Sequence, residues 1–189
     1  VPLLWTEIRE QLRVIVLYRH PVEVAASHTV KGHYTVNKSP AWAISPFHER
    51  VLFPELRDRW EAMSPFEKSL YRWLETTAFG LELEKTLPDL RRYVLPSEQL
   101  FAKGAEAVRE LAEFCGFENS AIKPVASRRN ESVAHNLEVR PLEDDWTVAS
   151  KHPEITAFAE KLGYSMSTED VQRRMRKYQL PQGLLPRLR

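Results

Sequence analysis

The run Arg13-Val14-Ile15-Val16-Leu17-Tyr18 constrains this chain more than any other segment. Its apolar residues are continuous rather than alternating, and three of them, Val14, Ile15 and Val16, are β-branched. That pattern predicts a strand buried on both faces, the environment of a parallel sheet. Arg19-His20-Pro21 ends the run. Pro21 suits the first turn of a helix, because its missing N–H would have no intrahelical partner there. The spacing predicts that helix over 22 to about 31, with Val22, Ala25, Ala26 and Val30 on one side. Ahead of the strand, Leu4, Ile8 and Leu12 recur every four residues and predict a short helix over 2–12. Helix, strand and helix at this spacing indicate an α/β arrangement, a parallel sheet flanked by helices.

The remainder reads as helix-rich. Residues 32–47 are loop-like. Ser64 with Glu67 three positions on forms a capping-box pattern. It predicts a long helix from Pro65 to about 85, with Leu70, Trp73, Leu74, Thr77 and Leu81 inward and Pro88 closing it. Residues 92–95 predict a second short buried strand. Ser97 and Glu98 begin a turn, and an amphipathic helix over 102–114 is stopped by Gly116. Residues 121–141 lack apolar periodicity and read as a surface loop. Two last helices are expected over 152–162 and 168–177. A length of 189 residues suits one domain, with its core over 13–165 and a helical basic tail over 166–189.

Composition excludes several classes. The formal net charge is +1, so no global field draws nucleic acid or an anionic membrane. Arg173, Arg174, Arg176, Lys177, Arg187 and Arg189 cluster late, which ordinarily means a solvated helix face and a frayed tail. Cys115 is the only cysteine, sits in an apolar run and reads as a small packed hydrophobe. No apolar run approaches the ~20 residues of a membrane span. No spacing among the histidines suggests zinc, so no metal is expected. No charged-then-apolar leader opens the chain, and the start at Val1 rather than Met suggests a fragment or a processed product.

The chemistry is expected where the strand gives way to the helix. In open α/β sheets ligands collect at the carboxyl ends of strands. Arg19 stands at such an end, and the free N–H groups and positive dipole end of the next helix favour a phosphate there. The guanidinium is a forked donor suited to phosphate. Ser27 returns to roughly the same side, and Lys31 lies one turn beyond it. The alternative is that Arg19 pairs with a carboxylate and Ser27 is a plain surface residue.

This segment resembles the 3′-phosphate-binding element of PAPS-dependent sulfotransferases, where PAPS is 3′-phosphoadenosine 5′-phosphosulfate. That element has a hydrophobic strand, Arg, any residue, Pro, and Ser eight residues after the Arg; Arg19, Pro21 and Ser27 match. Weaker similarities follow in order: Tyr71-Arg72-Trp73 in the long helix, Leu95-Pro96-Ser97-Glu98-Gln99-Leu100, Glu113-Phe114-Cys115-Gly116, Arg128-Arg129-Asn130-Glu131-Ser132, and Glu160-Lys161-Leu162-Gly163-Tyr164. The resemblance covers about 13–165. It implies a partial P-loop-NTPase-like sulfotransferase fold, PAPS or its product PAP as the ligand, and transfer of a sulfuryl group to a hydroxyl or amine acceptor. It also implies that Arg19 and Ser27 grip the 3′-phosphate, with Lys31 as a nearby charge.

The family's other motif, a P-loop-like turn that holds the 5′-phosphosulfate, has no counterpart here. None of the six glycines lies in a Gly-rich turn between a buried strand and a helix. The family's base also precedes the Arg-Pro-Ser element. Glu7 and Glu10 read as a solvated face, and His20, His28 and His33 as bystanders. The expectation is therefore a fragment of an enzyme, inactive alone, or a protein that has lost catalysis. The alternative in a different class is a non-catalytic nucleotide- or partner-binding module on the same scaffold; a P-loop kinase relative fits less well. The acceptor is not legible. Asn37-Lys38-Ser39 and Asn130-Glu131-Ser132 are glycosylation sequons usable in a Golgi lumen, while the cytoplasm of a bacterium is the favoured setting.

Overall fold

The computed structural model describes residues 6–8, 11–35, 43–87, 91–117, 147 and 151–179. The expected loop over 121–141, the Arg128–Ser132 segment, both sequons and the last ten residues lie outside them. The elements are β1 (Arg13–Tyr18), α1 (Pro21–Val30), a 3-10 helix (Pro54–Ala62), α2 (Pro65–Thr86), β2 (Arg91–Pro96), α3 (Ser97–Lys103), α4 (Ala105–Cys115), α5 (Pro153–Lys161) and α6 (Thr168–Gln179). The class is α/β. Thr6–Ile8 are helical within the expected 2–12 helix. The chain divides into two compact units, 1–19 with 77–129, and 20–76 with 130–189.

The first unit holds the sheet. Strands β1 and β2 run parallel, in register from Arg13 opposite Arg91 to Tyr18 opposite Pro96. The expectation of a strand buried on both faces is corrected here. Val16 is buried, whereas Ile15 is 44% and Leu17 53% exposed. Among the described residues the sheet has two strands, and α2 covers only the Val16 face. On the other face Arg13 reaches the end of α4, donating to the Cys115 carbonyl at 3.4 Å. Gly80 lets α2 approach: a Cβ there would stand 2.9 Å from Val16 Cγ1. Val16 is β-branched and stiff at χ1. Gly80→Leu is therefore expected to cost about 2–3 kcal/mol through overpacking, read as a lower urea midpoint, despite leucine's better helix propensity.

The segment 97–115, read as one turn and one helix, forms two helices. Gly104 breaks them with φ 54° and ψ −118°, a conformation open to glycine. Gly116 ends α4 in the left-handed region at φ 83°, as expected, with Phe117 N–H donating to the Ala112 carbonyl at 2.9 Å. Tyr93 on β2 donates to Glu110 of α4 at 2.7 Å and packs its ring on Phe114.

The second unit is helical. Its core is built from Val22, Ala25 and Ala26 of α1, Leu56 and Trp60 of the 3-10 helix, Phe66, Leu70, Tyr71, Trp73 and Leu74 of α2, Ile155 and Ala159 of α5, and Val171 and Met175 of α6. Trp60 meets Tyr71 edge-on at 5.4 Å, and Phe158 meets Trp73 at 5.7 Å. Helix α2 starts with the expected capping box. Ser64 N–H donates to Glu67 at 2.7 Å, and Glu67 N–H donates to Ser64 Oγ at 3.2 Å. The segment read as a basic tail contains α6, whose Val171 and Met175 are fully buried while Arg173 and Arg176 face outward.

Candidate functional site

Helix α1 begins at Pro21, directly after β1, Arg19 and His20, as the sequence predicts. Arg19 is exposed at the end of the sheet unit. Ser27 is half-buried in the middle of α1, and Lys31 is its exposed C-terminal cap. Ser27 and Lys31 are four apart and share a helix face. Arg19 belongs to the first unit, Ser27 and Lys31 to the second.

The start of α1 differs from expectation. The sequence predicts free N–H groups there, open to a phosphate. Instead His20, wholly buried, caps the helix: its Nδ1 accepts from Val22 N–H at 3.3 Å. The His20 carbonyl accepts from Glu23 N–H at 3.1 Å and Val24 N–H at 3.2 Å, and Pro21 has no N–H to offer. The donors near this point that remain for an anion are side chains. His20 Nε2–H donates to the Ser165 carbonyl at 3.0 Å, so both ring nitrogens are used in the neutral form. Burial holds the His20 pKa below the usual histidine value, with Arg174 adding to that. This histidine is a structural cap rather than a base.

A buried charge network follows from it. Glu23, in the first turn of α1, is 8% exposed and accepts from Arg174 of α6 at 3.2 Å. Arg174 also donates to Asp170 at 2.7 Å, and Asp170 lies 3.4 Å from His20 Nε2 and pairs with Arg173. Burial opposes ionisation of Asp170, yet the hydrogen bond and charge of Arg174 outweigh it and hold its pKa low. Tyr178 donates to the Glu23 carbonyl at 3.3 Å. Helix α6 thus locks the first turn of α1 and neutralises the one carboxylate in it. The sequence places Arg174 on a solvated helix face; instead it is half-buried between Asp170 and Glu23.

A second buried histidine is also structural. His152, at the start of α5, donates through Nε2 to Glu67 at 3.0 Å, while Arg59 donates to Glu154 at 2.6 Å and to the Lys151 carbonyl at 3.2 Å. These contacts tie α5 to the 3-10 helix and to the capping box of α2.

His28 and His33, the other two histidines close in sequence, lie together. Their rings are 4.8 Å apart between centroids. Burial, and then the charges of Arg72, His33 and Lys31, push the His28 pKa down to about 3. His28 is therefore neutral at pH 7. The unfolded chain takes up this proton near pH 6.5 and the folded chain does not, so stability is full above 6.5 and declines as pH falls toward 3. From pH 7.5 to pH 5 the expected loss is about 2 kcal/mol from His28, with His20 acting in the same direction. The lowered pKa values of Asp170 and Glu67 act only below the usual carboxylate range. Urea unfolding at the two pH values checks this; equal midpoints would contradict it.

A cavity of about 380 Å³ opens along α6, lined by Ser167, Glu169, Asp170, Gln172, Arg173 and Arg176, and includes none of Arg19, Ser27 or Lys31. Among the described residues no group of three histidine, cysteine or acidic side chains is placed to hold a metal, and no helix is long and apolar enough to cross a membrane. Glu7 is exposed and Cys115 half-buried; Glu10 lies outside the described residues. Comparison with protein-family models, with curated proteins and with solved structures gave no match.

Proposed function

We propose that this chain carries the 3′-phosphate-binding part of a PAPS-dependent sulfotransferase on a P-loop-like α/β scaffold, with the 5′-phosphosulfate cradle absent from it. Arg19 and Ser27 hold the phosphate on the donor's ribose, and Lys31 adds a nearby positive charge. One observation carries the reading. A strand paired in parallel ends at Tyr18, is followed at once by Arg19 and His20, and gives way at Pro21 to a helix that carries Ser27 and is capped by Lys31. This is the order the resemblance requires. Since the N–H groups at the start of α1 are occupied, the grip rests on the guanidinium and the hydroxyl.

In an intact relative such a site holds the donor while a base activates a hydroxyl or amine acceptor; rate then comes from positioning and from stabilising charge on the transferring group. PAP at about 100 times its Kd is expected to raise the melting temperature by about 5–10 °C, from ~2.7 kcal/mol of binding linkage. The same chain is expected to transfer no sulfuryl group from PAPS to a panel of hydroxyl and amine acceptors. An unchanged melting temperature would contradict the binding assignment, and turnover would contradict the missing cradle.

A further inference from the structure

We propose that His28, His33 and Arg72 form a binding site for a small tetrahedral oxyanion, a sulfate or phosphate group, with Lys31 at its rim. The proposal does not rest on the donor assignment. His28 follows Ser27 by one residue, which turns it about 100° around α1.

The geometry comes from a tight reversal after α1. The His28 carbonyl accepts from both Lys31 N–H at 3.2 Å and His33 N–H at 3.1 Å. Gly32 takes φ 77°, and Tyr34, at φ 61°, is the one non-glycine residue with positive φ among those described. A left-handed residue bearing a Cβ costs about 1–2 kcal/mol and persists only where its surroundings hold it. Tyr34 is held: its hydroxyl donates to the Ile44 carbonyl at 2.9 Å, and its ring meets Trp60 edge-on at 5.7 Å. The reversal lays the His33 ring over His28, tilted by 39°. His28 Nδ1 is buried and has no hydrogen-bond partner among the described residues. A buried polar nitrogen in that condition calls for a ligand able to pair with it.

The charges facing this point define the ligand's sign. Arg72 of α2 supplies a fixed, half-buried guanidinium, and its field reaches both His28 and Tyr34. Lys31 and His33 add to the positive field at His28. The Tyr34 phenol, pushed up to about 12 by burial, is neutral. Two neighbouring imidazoles alone would also suit a metal ion, but a cation would meet Arg72 and Lys31, whereas an anion is attracted by both. An oxyanion accepts from the imidazole N–H groups and the guanidinium together. Its charge also favours protonation of His28, so binding takes up a proton.

The test is an NMR titration of the histidine ring signals with sodium sulfate and, separately, sodium phosphate, at ionic strength held constant with sodium chloride. The expected result is a saturable shift of the His28 and His33 signals with Kd on the order of 1 mM, a range in which a few hydrogen bonds suffice. The exposed His48 signal stays still. Affinity is expected to be about 3-fold or more tighter at pH 5.5 than at pH 7.5, by proton linkage. Arg72→Lys keeps the charge but loses the fork and is expected to weaken binding about 10-fold; His28→Asn is expected to abolish saturation. Ser27→Ala is expected to leave sulfate binding unchanged while weakening PAP, which separates this site from the donor site. A linear drift shared by His48, saturation by Zn²⁺ in place of sulfate, or equal affinity for acetate would each overturn the proposal, the last by removing the tetrahedral class. The wild-type titration decides even if His28→Asn does not fold.

Discussion

Glu75→Ala is expected to lower the stability of the helical unit by about 3–5 kcal/mol, the largest effect of any single truncation outside the apolar core. Glu75 lies mid-way along α2 and is 4% exposed. Its Oε1 accepts from Phe53 N–H at 2.8 Å and from the Tyr71 hydroxyl at 2.9 Å, and its Oε2 accepts from Leu52 N–H at 3.0 Å. The carboxylate therefore fixes the chain just before the 3-10 helix, where Phe53 packs against Phe158 of α5. Truncation leaves three donors without an acceptor, each a loss of about 1–3 kcal/mol before relaxation. Tyr71→Phe removes one donor and leaves two, so it is expected to cost only about 1 kcal/mol. The phenol's pKa is raised by burial and by this carboxylate, so it remains a donor at any ordinary pH. Chemical unfolding of the two variants checks the ratio. Equal, small losses would mean that the loop is held by packing alone.

Much of the fold was legible because local rules decide it. The β-branched run gave a strand, Pro21 gave a helix start, Ser64 and Glu67 gave a capping box, and Gly116 gave a helix stop. The failures have physical causes. The 3-10 helix Pro54–Ala62 escaped notice because only Leu56 and Trp60 of its nine residues are buried, too few to set a period. Gly104 was read through because glycine is tolerated near a helix start, yet its dihedrals end one helix and begin another. A continuous apolar run says nothing about how many neighbours cover it, so the exposure of Ile15 and Leu17 could not be foreseen.

The candidate site shows the same division. Arg19, Ser27 and Lys31 are placed on the strand end and helix by neighbours in sequence, and that placement was legible. The occupation of the α1 N-terminus was not. Histidine is not among the preferred N-cap residues, and its other partners, Ser165 and Asp170, lie about 150 residues away. Nor does a sequence pattern join Glu23 to Arg174, 151 positions apart.

Arg19→Ala is expected to weaken PAP by about 10-fold or more, and Ser27→Ala by somewhat less. A hydrogen bond to a charged group contributes about 1.5–3 kcal/mol, and each 1.4 kcal/mol is tenfold in affinity. The occupied amides at the start of α1 sharpen the expectation, because no backbone donor there can take over the lost contact. Lys31→Ala is expected to give a smaller loss that shrinks as salt rises, the behaviour of a nearby exposed charge. Adenosine 5′-phosphosulfate, which lacks the 3′-phosphate, is the discriminating ligand. Calorimetric titration of the full-length protein and of its Arg19→Ala and Ser27→Ala variants with PAP and with adenosine 5′-phosphosulfate is the direct measurement. Losses confined to PAP are the predicted result; equal losses for both ligands, or none for either, would contradict a 3′-phosphate grip by Arg19 and Ser27.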